Sequence, residues 1–391
     1  MDLSTLKMFG SCTQWLVKLP FSLSNTTNVQ INAKSTQSSW QEEKTELLER
    51  ANWLCEKIIV EPEQLLKEVP SILGTMYGGQ WAIYACSMLA SSLVNISKLY
   101  PEEKNQALTR IERLIDIALT PTMKRFDSED WREDPLEAKS LKGNKGHMTY
   151  LTTIAWMISL YKLSGGKSTT YDQTLHDCCE GINHRMTSKK DMNVPSFTNN
   201  IVFISDMVCA CVVLQNYASL YNGKYADTAS KWLEKAKAEL IHKPTGLLVA
   251  TKKYRNKSYV RGSYTALTNY FLTLLDDKEF AKDQYERMKK VFRKDTPLCG
   301  LKEFQRVNGN FKFDPNAGPI FYGLSGSGTA IAIGCATYFE DWEYRYQLLR
   351  TAEIAGQTIK EKNKQHYRLA ELAFVGEAMT LAMRTNKNQI L

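Results

Sequence analysis

An almost wholly apolar run, MTYLTTIAWMISLYKL, extends from Met148 to Leu163. It is followed by the turn Ser164-Gly165-Gly166 and then by a polar helical segment from Thr170 to Met186. A helix that is apolar on every side has to be buried on every side, whereas an amphipathic helix after it can cover it and face water. The stretch therefore predicts an inner helix paired with an outer helix.

The same pairing recurs about every 50–60 residues, a longer period than most solenoid repeats have. Five or six such pairs closed into a ring predict an all-α (α/α)6 toroid without a significant sheet. An open superhelix is the competing geometry, but the inner helices are too apolar to line a solvated concave face. The further apolar segments are Gly79–Leu99, Ile204–Tyr221, Tyr264–Leu275, Gly328–Phe339 and Tyr367–Met383, and the amphipathic ones are Gln41–Ile59, Pro101–Leu119, Tyr225–Leu240, Lys278–Phe292 and Trp342–Ile359.

The composition is that of a globular protein with scattered charge. The chain has 391 residues, 43% of them hydrophobic, and a net charge of +8 from 50 basic and 42 acidic side chains. The basic residues form no stripe, which argues against a nucleic-acid partner, and no run has the length and apolarity of a membrane span. Nine cysteines without a C-x-x-C pair predict reduced, buried thiols, no zinc site and a cytoplasmic protein.

The chain is expected to divide into two parts of unequal size. Residues 1–40 predict a polar, loosely ordered arm, which either contacts a neighbouring copy in a homo-oligomer or stays disordered. Residues 41–391 predict one barrel domain. Long segments lead into the inner helices and are expected to meet at one mouth of the barrel, where loops of this length are usually functional. They are Thr120–Gly146, Thr187–Phe203, Pro244–Ser263 and Thr296–Gly326.

Titratable side chains next to inner helices are the candidate catalytic groups. His147 opens an apolar helix after a glycine-rich loop, and its ordinary pKa near neutrality suits either acid or base catalysis. Asp134, in the acidic loop before it, is a candidate partner, although a surface acidic loop explains it equally well. Asp206 lies just inside an apolar helix, so it needs either a hydrogen-bonding partner or a place at the mouth.

Polar and aromatic side chains near the same helix starts are the candidate substrate contacts. Small hydroxyls and amides between apolar spacers can place a few hydrogen bonds on a mainly apolar ligand, but the same residues also cap turns. Aromatic side chains could stack on a substrate or simply pack. The candidates are Trp131, Tyr150, Ser196, Asn199, Asn200, Ser205, Tyr264 and Tyr322.

From Trp131 onward the chain resembles the linalool dehydratase/isomerase-like family at a low level, over roughly residues 75–355. The most specific pieces are Asp134-Pro135, the Lys145-Gly146-His147 that opens a helix, and Ser263-Tyr264-Thr265 before another helix. The resemblance implies an (α/α)6 barrel and metal-free acid/base chemistry on small monoterpene alcohols. It also implies a catalytic or positioning role for His147 and a pocket position for Tyr264.

The chain departs from that family at two positions. Ser196 and Ser205 stand where the family has cysteines, and a serine hydroxyl is a poorer acid or nucleophile than a thiol. The fold can therefore carry over without the family's reaction.

Three functions remain open from the sequence. The first is a cofactor-independent lyase or isomerase that uses acid/base chemistry on a small, mainly apolar, terpenoid-like or lipid-like substrate. The second is a carbohydrate-active hydrolase or lyase, which requires two carboxylates, such as Asp134 and Asp206, beside an aromatic-lined cleft. The third is a non-catalytic barrel with a filled centre that binds a ligand or partner. The first is the main prediction.

Overall fold

Six inner helices form a closed ring. The structure is a computed structural model that describes residues 40–67, 74–196, 201–253, 259–306, 311–314, 317–371 and 373–388. Each inner helix packs against the next in chain order, and the last packs against the first. They are α3 (Gly74–Leu99), α7 (Met148–Leu163), α9 (Ile204–Leu220), α11 (Gly262–Thr273), α13 (Gly326–Tyr338) and α15 (Phe374–Arg384). The predicted (α/α)6 toroid is confirmed.

Six outer helices surround the ring. Five of them follow an inner helix and pack against it, as the repeat predicts. The sixth, α1 (Trp40–Cys55), comes first in the described chain and packs against the last inner helix, α15, and against α3. The other five are α4 (Lys104–Ala118), α8 (Asp172–Thr187), α10 (Ala226–Glu239), α12 (Lys278–Phe292) and α14 (Trp342–Gly356). The ring is thus closed by a pair taken from opposite ends of the chain.

Buried ion pairs hold that closing pair together. Arg50 on α1 donates to Glu377 on α15 at 2.6 Å, and both side chains are fully buried. Glu43, also on α1, lies 2.9 Å from Arg345 and 3.0 Å from Arg384. A buried charge is stable only with a partner, so these pairs fix which helix faces α1.

Short helices and strands make up most of the connections. The helices are α2 (Gln64–Lys67), α5 (Pro121–Trp131) and α6 (Ala138–Leu141), besides a π-helical turn at Glu56–Val60 and 3-10 turns at Pro101–Glu103 and Arg368–Glu371. The described strands form small antiparallel sheets of two or three strands, all between near neighbours in the chain except the pair β1–β4. They are β1 (Ile201–Phe203), β2 (Ile241–His242), β3 (Leu247–Leu248), β4 (Thr251–Lys253), β5 (Arg293–Lys294), β6 (Gly300–Leu301), β7 (Phe311–Asp314), β8 (Gly318–Phe321), β9 (Leu324–Ser325), β10 (Thr358–Glu361) and β11 (Lys364–Tyr367).

The four long segments contact one another at one end of the ring. The Trp131 indole donates to the backbone oxygen of Ser196 at 3.1 Å, which joins the first segment to the second. Strand β1 pairs with β4, which joins the second to the third. The Gly262 amide donates to the backbone oxygen of Glu303 at 2.9 Å, which joins the third to the fourth. This end carries the N-termini of the inner helices from α7 to α13.

The first of these segments, Thr120–Gly146, was predicted to be a loop, but part of it is helical. It contains α5, which begins at Pro121 after Thr120, whose hydroxyl accepts from the Met123 amide at 3.4 Å. An N-cap threonine followed by proline is a standard helix start. The helix is short and buries only one side, including Phe126 and Asp127, so its period is weak in the sequence.

Three other expectations concern less of the chain. Within the described residues, one helix, Tyr77–Leu99, has the length and composition of a membrane span, but 78% of the apolar window is buried inside the ring. A core helix of a globular protein shows the same features. The eight described cysteines are free and buried. The predicted N-terminal arm spans residues 1–40, of which 1–39 lie outside the described residues, as do Asn199 and Asn200, while Trp40 begins α1.

Candidate active site

A cavity of about 320 Å³ lies where the long segments meet the inner helices. The centre of the barrel is therefore not filled, whereas a filled centre would have favoured the non-catalytic function. The wall is mainly apolar and rich in aromatic rings, and it contains two carboxylates, Asp206 and Glu377. The aromatic residues that line it are Trp81, Tyr84, Phe203, Tyr264, Phe313, Phe321 and Tyr367.

Asp206 is held in the first turn of α9 by hydroxyl groups alone. Its side chain is almost fully buried. The Tyr84 hydroxyl, from α3, donates to Oδ1 at 3.1 Å, and the Thr149 hydroxyl, from α7, donates to Oδ2. The Ser196 hydroxyl adds a further hydrogen bond. Three neighbouring segments of the barrel therefore converge on one carboxyl group.

Burial raises the pKa of Asp206 above its ordinary value, and the hydrogen bonds from Thr149, Ser196 and Tyr84 oppose that rise without cancelling it. Among the described residues, no cation contributes to this balance. Burial, together with the charge of Asp206, also raises the pKa of Tyr84, so the phenol stays protonated and donates. A carboxyl group that holds its proton beside a cavity can deliver that proton to a ligand.

Glu377, the other cavity carboxylate, has the opposite surroundings. Its Oε1 accepts from the Arg50 guanidinium at 2.6 Å, and its Oε2 accepts from the Tyr367 amide at 2.8 Å. Arg50 also lies over the Tyr367 ring, 4.0 Å from its centroid. A charge-assisted hydrogen bond of this kind is strong, so Glu377 serves the closing pair of helices.

Another buried carboxylate, Glu303, supports the wall on the side of α11. It accepts from Arg261 Nε at 2.6 Å and from the Ser263 hydroxyl at 2.9 Å. Arg261 in turn lies 4.9 Å over the Tyr264 ring, whose centroid is 5.3 Å from that of Phe203. Glu303 therefore positions Ser263 and Tyr264, which both line the cavity.

His147 lies outside the cavity, in a closed polar network. It is fully buried, in a left-handed backbone conformation with φ of 60°. Its Nδ1 pairs with Asp127, and its Nε2 lies 3.1 Å from Glu133 Oε1 and 3.3 Å from the Ser140 hydroxyl. Helix α5 supplies Asp127, and its Phe126 and Trp131 rings contact Tyr150 and His147 at the start of α7, whereas His147 is not among the residues that line the cavity. The predicted catalytic role of His147 stays a prediction, without a cavity contact to support it.

The other predicted site residues divide in the same way. The structure brings Ser205, Asp206 and Tyr264 to the cavity. Ser196 donates a hydrogen bond to Asp206 without being one of the lining residues. Asp134 is placed elsewhere, since it pairs with Lys124 and accepts from the Leu136 amide. The expected pairing of Asp134 with Asp206 is therefore absent among the described residues. Tyr150, Trp131 and Tyr322 are not among the residues that line the cavity either. Tyr150 donates to the Ala118 backbone oxygen and Trp131 to that of Ser196, while Tyr322 is 41% exposed.

Sequence reasoning missed the groups that define the surroundings of Asp206. Tyr84 and Thr149 lie 122 and 57 residues away from it, inside helices that look uniformly apolar, and no local signal distinguishes them. Arg261 and Glu303 were also missed. Within the described part of the chain, no group of three or more His, Cys, Asp or Glu side chains could hold a metal ion.

Comparisons with known proteins identify the fold. No protein-family model matches the chain, and no curated protein is significantly similar to it. A possible member of glycoside hydrolase family 105 from Salmonella enterica serovar Paratyphi A is 12% identical, with a TM-score of 0.52 over 90% of this chain and 95% of that one. An unsaturated glucuronyl hydrolase specific for heparin is 12% identical, with a TM-score of 0.50 over 78% and 85%.

A third solved structure comes from another family of the same fold. The α-1,6-mannanase of glycoside hydrolase family 76 from Salegentibacter sp. is 10% identical, with a TM-score of 0.50 over 87% of this chain and 98% of that one. At such identities the likeness establishes the fold alone. These proteins are (α/α)6-type carbohydrate-active enzymes, so they support the toroid and do not support the linalool dehydratase-like family or its terpenoid chemistry.

Proposed function

We propose that this protein is a carbohydrate-active enzyme that binds an uncharged sugar unit in the cavity and protonates it from Asp206. The observation that carries the proposal is the buried carboxyl of Asp206, which lines the cavity and has hydroxyl donors, but no cation, as its partners within the described part of the chain. Proton donation to a glycosidic oxygen requires a carboxyl group with a raised pKa.

The wall of the cavity supports a sugar as the ligand. Aromatic rings from α3, β1, α11 and β8 surround the space next to Asp206, and aromatic faces pack against the apolar faces of sugar rings. Glycoside hydrolases with the same fold, named above, act on saccharides, and we propose the same substrate class for this protein.

The charge of the wall supports an uncharged sugar. Among the described residues that line the cavity, there is no Lys, Arg or His. A uronate would have to place its carboxylate beside Asp206 and Glu377 without a counter-charge, which desolvation makes costly. The substrate thus differs in charge from the unsaturated glucuronyl unit named for one of the similar structures.

The decisive experiment compares wild type with Asp206→Asn on neutral glycosides that differ in leaving group. For methyl glycosides and disaccharides, which need a protonated leaving oxygen, we expect Asp206→Asn to lower kcat/KM by about 10²–10⁴-fold, the usual contribution of a general acid. For 2,4-dinitrophenyl glycosides, whose leaving group needs no proton, we expect a much smaller loss.

Two controls make that result specific. Asp283→Asn changes an exposed aspartate that pairs with Arg287 on α12 and should leave all rates unchanged. Matched uronides should react poorly with wild type. An equal loss for both kinds of leaving group would show that Asp206 is not the proton donor, and turnover of uronides alone would contradict the uncharged substrate.

A small apolar alcohol or alkene is the second candidate substrate, because aliphatic side chains such as Leu267, Ile331 and Met379 complete the wall. In that case Asp206 would protonate the alcohol or the double bond, and the enzyme would be a lyase or isomerase. Incubation with a panel of monoterpene alcohols, followed by gas chromatography, separates the two candidates. Conversion there, with no reaction on glycosides, would favour the second.

A further inference from the structure

Gln80 is a polar residue of the cavity wall that the proposed acid catalysis does not use. It lies on α3, one helical turn before Tyr84, so the two side chains share a helix face. The residue is only 8% exposed, and it lines the same cavity as Asp206.

The hydrogen bonds of Tyr84 fix the orientation of the Gln80 amide. Tyr84 uses its proton to donate to Asp206 Oδ1 at 3.1 Å. The Gln80 side chain forms a hydrogen bond to the Tyr84 hydroxyl that favours the phenolate and so opposes the rise in the pKa of Tyr84. Only the amide nitrogen of Gln80 can donate, and Oε1 is the atom without a partner among the described residues, so the nitrogen is the group that faces Tyr84. The relay therefore runs from Gln80 through Tyr84 to Asp206.

In this orientation the Gln80 carbonyl oxygen does not bond Tyr84. Oε1 is buried and has no hydrogen-bond partner within the part of the chain that the structure describes. A buried carbonyl without a partner destabilises a protein, and most such groups are paired. A ligand donor in the cavity would satisfy it, because an amide oxygen accepts and does not donate.

We propose that Gln80 is a specificity-determining residue whose Oε1 accepts a hydrogen bond from a hydroxyl group of the substrate. The inference rests on the proposed function only for the substrate class, a ring that carries a hydroxyl near the atom that Asp206 protonates. It predicts that the cavity selects an alcohol over an ether or hydrocarbon of the same shape. A site with a buried acceptor rejects a ligand that lacks the donor.

The test measures binding without turnover, with three water-soluble probes of one ring shape. Tetrahydropyran-3-ol and tetrahydropyran-4-ol each carry a single hydroxyl, and tetrahydropyran carries none. By ligand-observed NMR titration we expect wild type to bind at least one alcohol about tenfold more tightly than tetrahydropyran, a factor typical of one neutral hydrogen bond. Gln80→Met keeps the length of the side chain but lacks both the carbonyl and the amide nitrogen that bonds Tyr84, and it should remove the preference for the alcohol while leaving the affinity for tetrahydropyran close to that of wild type.

Controls separate recognition from folding. Gln215→Met removes a glutamine that bonds Asp276 at the opposite end of the barrel, and it should keep the preference for the alcohol. Gln80→Met removes an unpaired buried oxygen, which favours stability, together with one hydrogen bond to Tyr84, which opposes it, so its Tm should stay close to that of wild type. A fall in Tm of several degrees, with equal loss of alcohol and ether binding, would show a structural role and overturn the inference.

The outcomes for Gln80 and for Asp206 are distinguishable. Equal affinity of wild type for all three probes, or a preference that survives in Gln80→Met, would overturn the role of Gln80 while leaving acid catalysis by Asp206 intact. Absence of glycoside turnover, with the alcohol preference present and dependent on Gln80, would overturn the proposed reaction and keep the recognition site.

Discussion

At the scale of residues, Asp206 and Glu377 line one cavity but have opposite surroundings. Hydroxyl groups surround the first, whereas a fully buried arginine holds the second. A carboxylate and a guanidinium attract each other strongly when water is excluded, and a hydroxyl supplies only a dipole. The carboxyl of Asp206 is therefore the one that keeps its proton more readily, although both belong to the same wall.

This difference predicts how stability depends on pH. The folded-state pKa of Asp206 is raised by burial, so the folded protein binds a proton that the unfolded chain has already lost. The sign follows: the contribution of Asp206 to the free energy of unfolding is complete below about pH 3.8 and falls as pH rises towards the raised pKa. Asp206→Asn, which stays neutral, should have a higher Tm than wild type at pH 7 and no such advantage near pH 3.5.

Thermal unfolding of both proteins between pH 3.5 and pH 8 measures the difference. A Tm gap that stays constant across this range would mean that Asp206 does not titrate with a raised pKa. The same titration governs catalysis, since a general acid is active only while protonated. The descending limb of the rate profile should therefore follow Asp206.

At the scale of elements, the positions of two helix starts decide what reaches the cavity. Helix α11 begins at Gly262, whose amide bonds the Glu303 backbone oxygen, and this contact brings Ser263 and Tyr264 to the wall. Helix α7 also begins at the mouth, but α5 packs over its start and encloses His147 with Asp127. Similar helix starts thus lead to a lining residue in one case and a buried network in the other.

The close approach at Gly262 is testable by a single methyl group. A Cβ at this position would lie 1.9 Å from the Lys302 backbone oxygen, and a backbone oxygen cannot turn aside as a side chain can. We expect Gly262→Ala to lower the free energy of unfolding by about 3 kcal/mol, the upper end of the range for overpacking. Urea unfolding measures the change.

Gly376 on α15 provides the matched control. A Cβ there would meet no atom within 4 Å, and alanine favours the helix over glycine. Gly376→Ala should therefore be as stable as wild type or slightly more stable. Equal stability of the two alanine variants would contradict the assigned contact between α11 and the segment before β7.

At the scale of the whole molecule, the ring depends on the pairing of α1 with α15. Removal of Glu377 leaves the buried Arg50 with only the partly exposed Glu46, 3.0 Å away, as its counter-charge, so the cost should lie at the lower end of the about 3–5 kcal/mol typical of a broken buried pair. We expect Glu377→Gln to lose that much stability in urea unfolding. The double variant Arg50→Met with Glu377→Leu should recover most of it, because apolar groups of similar volume can replace a buried pair.

Asp283→Asn is again a useful reference, because its pair with Arg287 is exposed and contributes less than about 1 kcal/mol. A single variant Glu377→Gln with the stability of wild type would show that the buried pair does not hold the ring closed. A double variant no better than the single one would show that the charges themselves are needed.

The sequence by itself determined the alternation of inner and outer helices, the number of helix pairs to within one, and the closure of the pairs into a ring. Helical periodicity is a local property, since residues three and four apart share a face whatever the rest of the chain does. It also identified Asp206 as an acid that needs a partner, and Tyr264 as a helix-start residue near a pocket. For Asp206 the signal was an acid inside an apolar helix, whereas the pocket position of Tyr264 was implied by the family resemblance.

Only the tertiary structure decided which side chains meet. Tyr84 and Thr149 reach Asp206 from two other helices, the unpaired carbonyl of Gln80 faces the same cavity, and α5 removes His147 from it. Such contacts join residues far apart in the chain, and they depend on where each connection places the next helix start. The same period would also fit helices rotated or shifted by a turn, so the sequence pattern leaves the composition of the site undetermined.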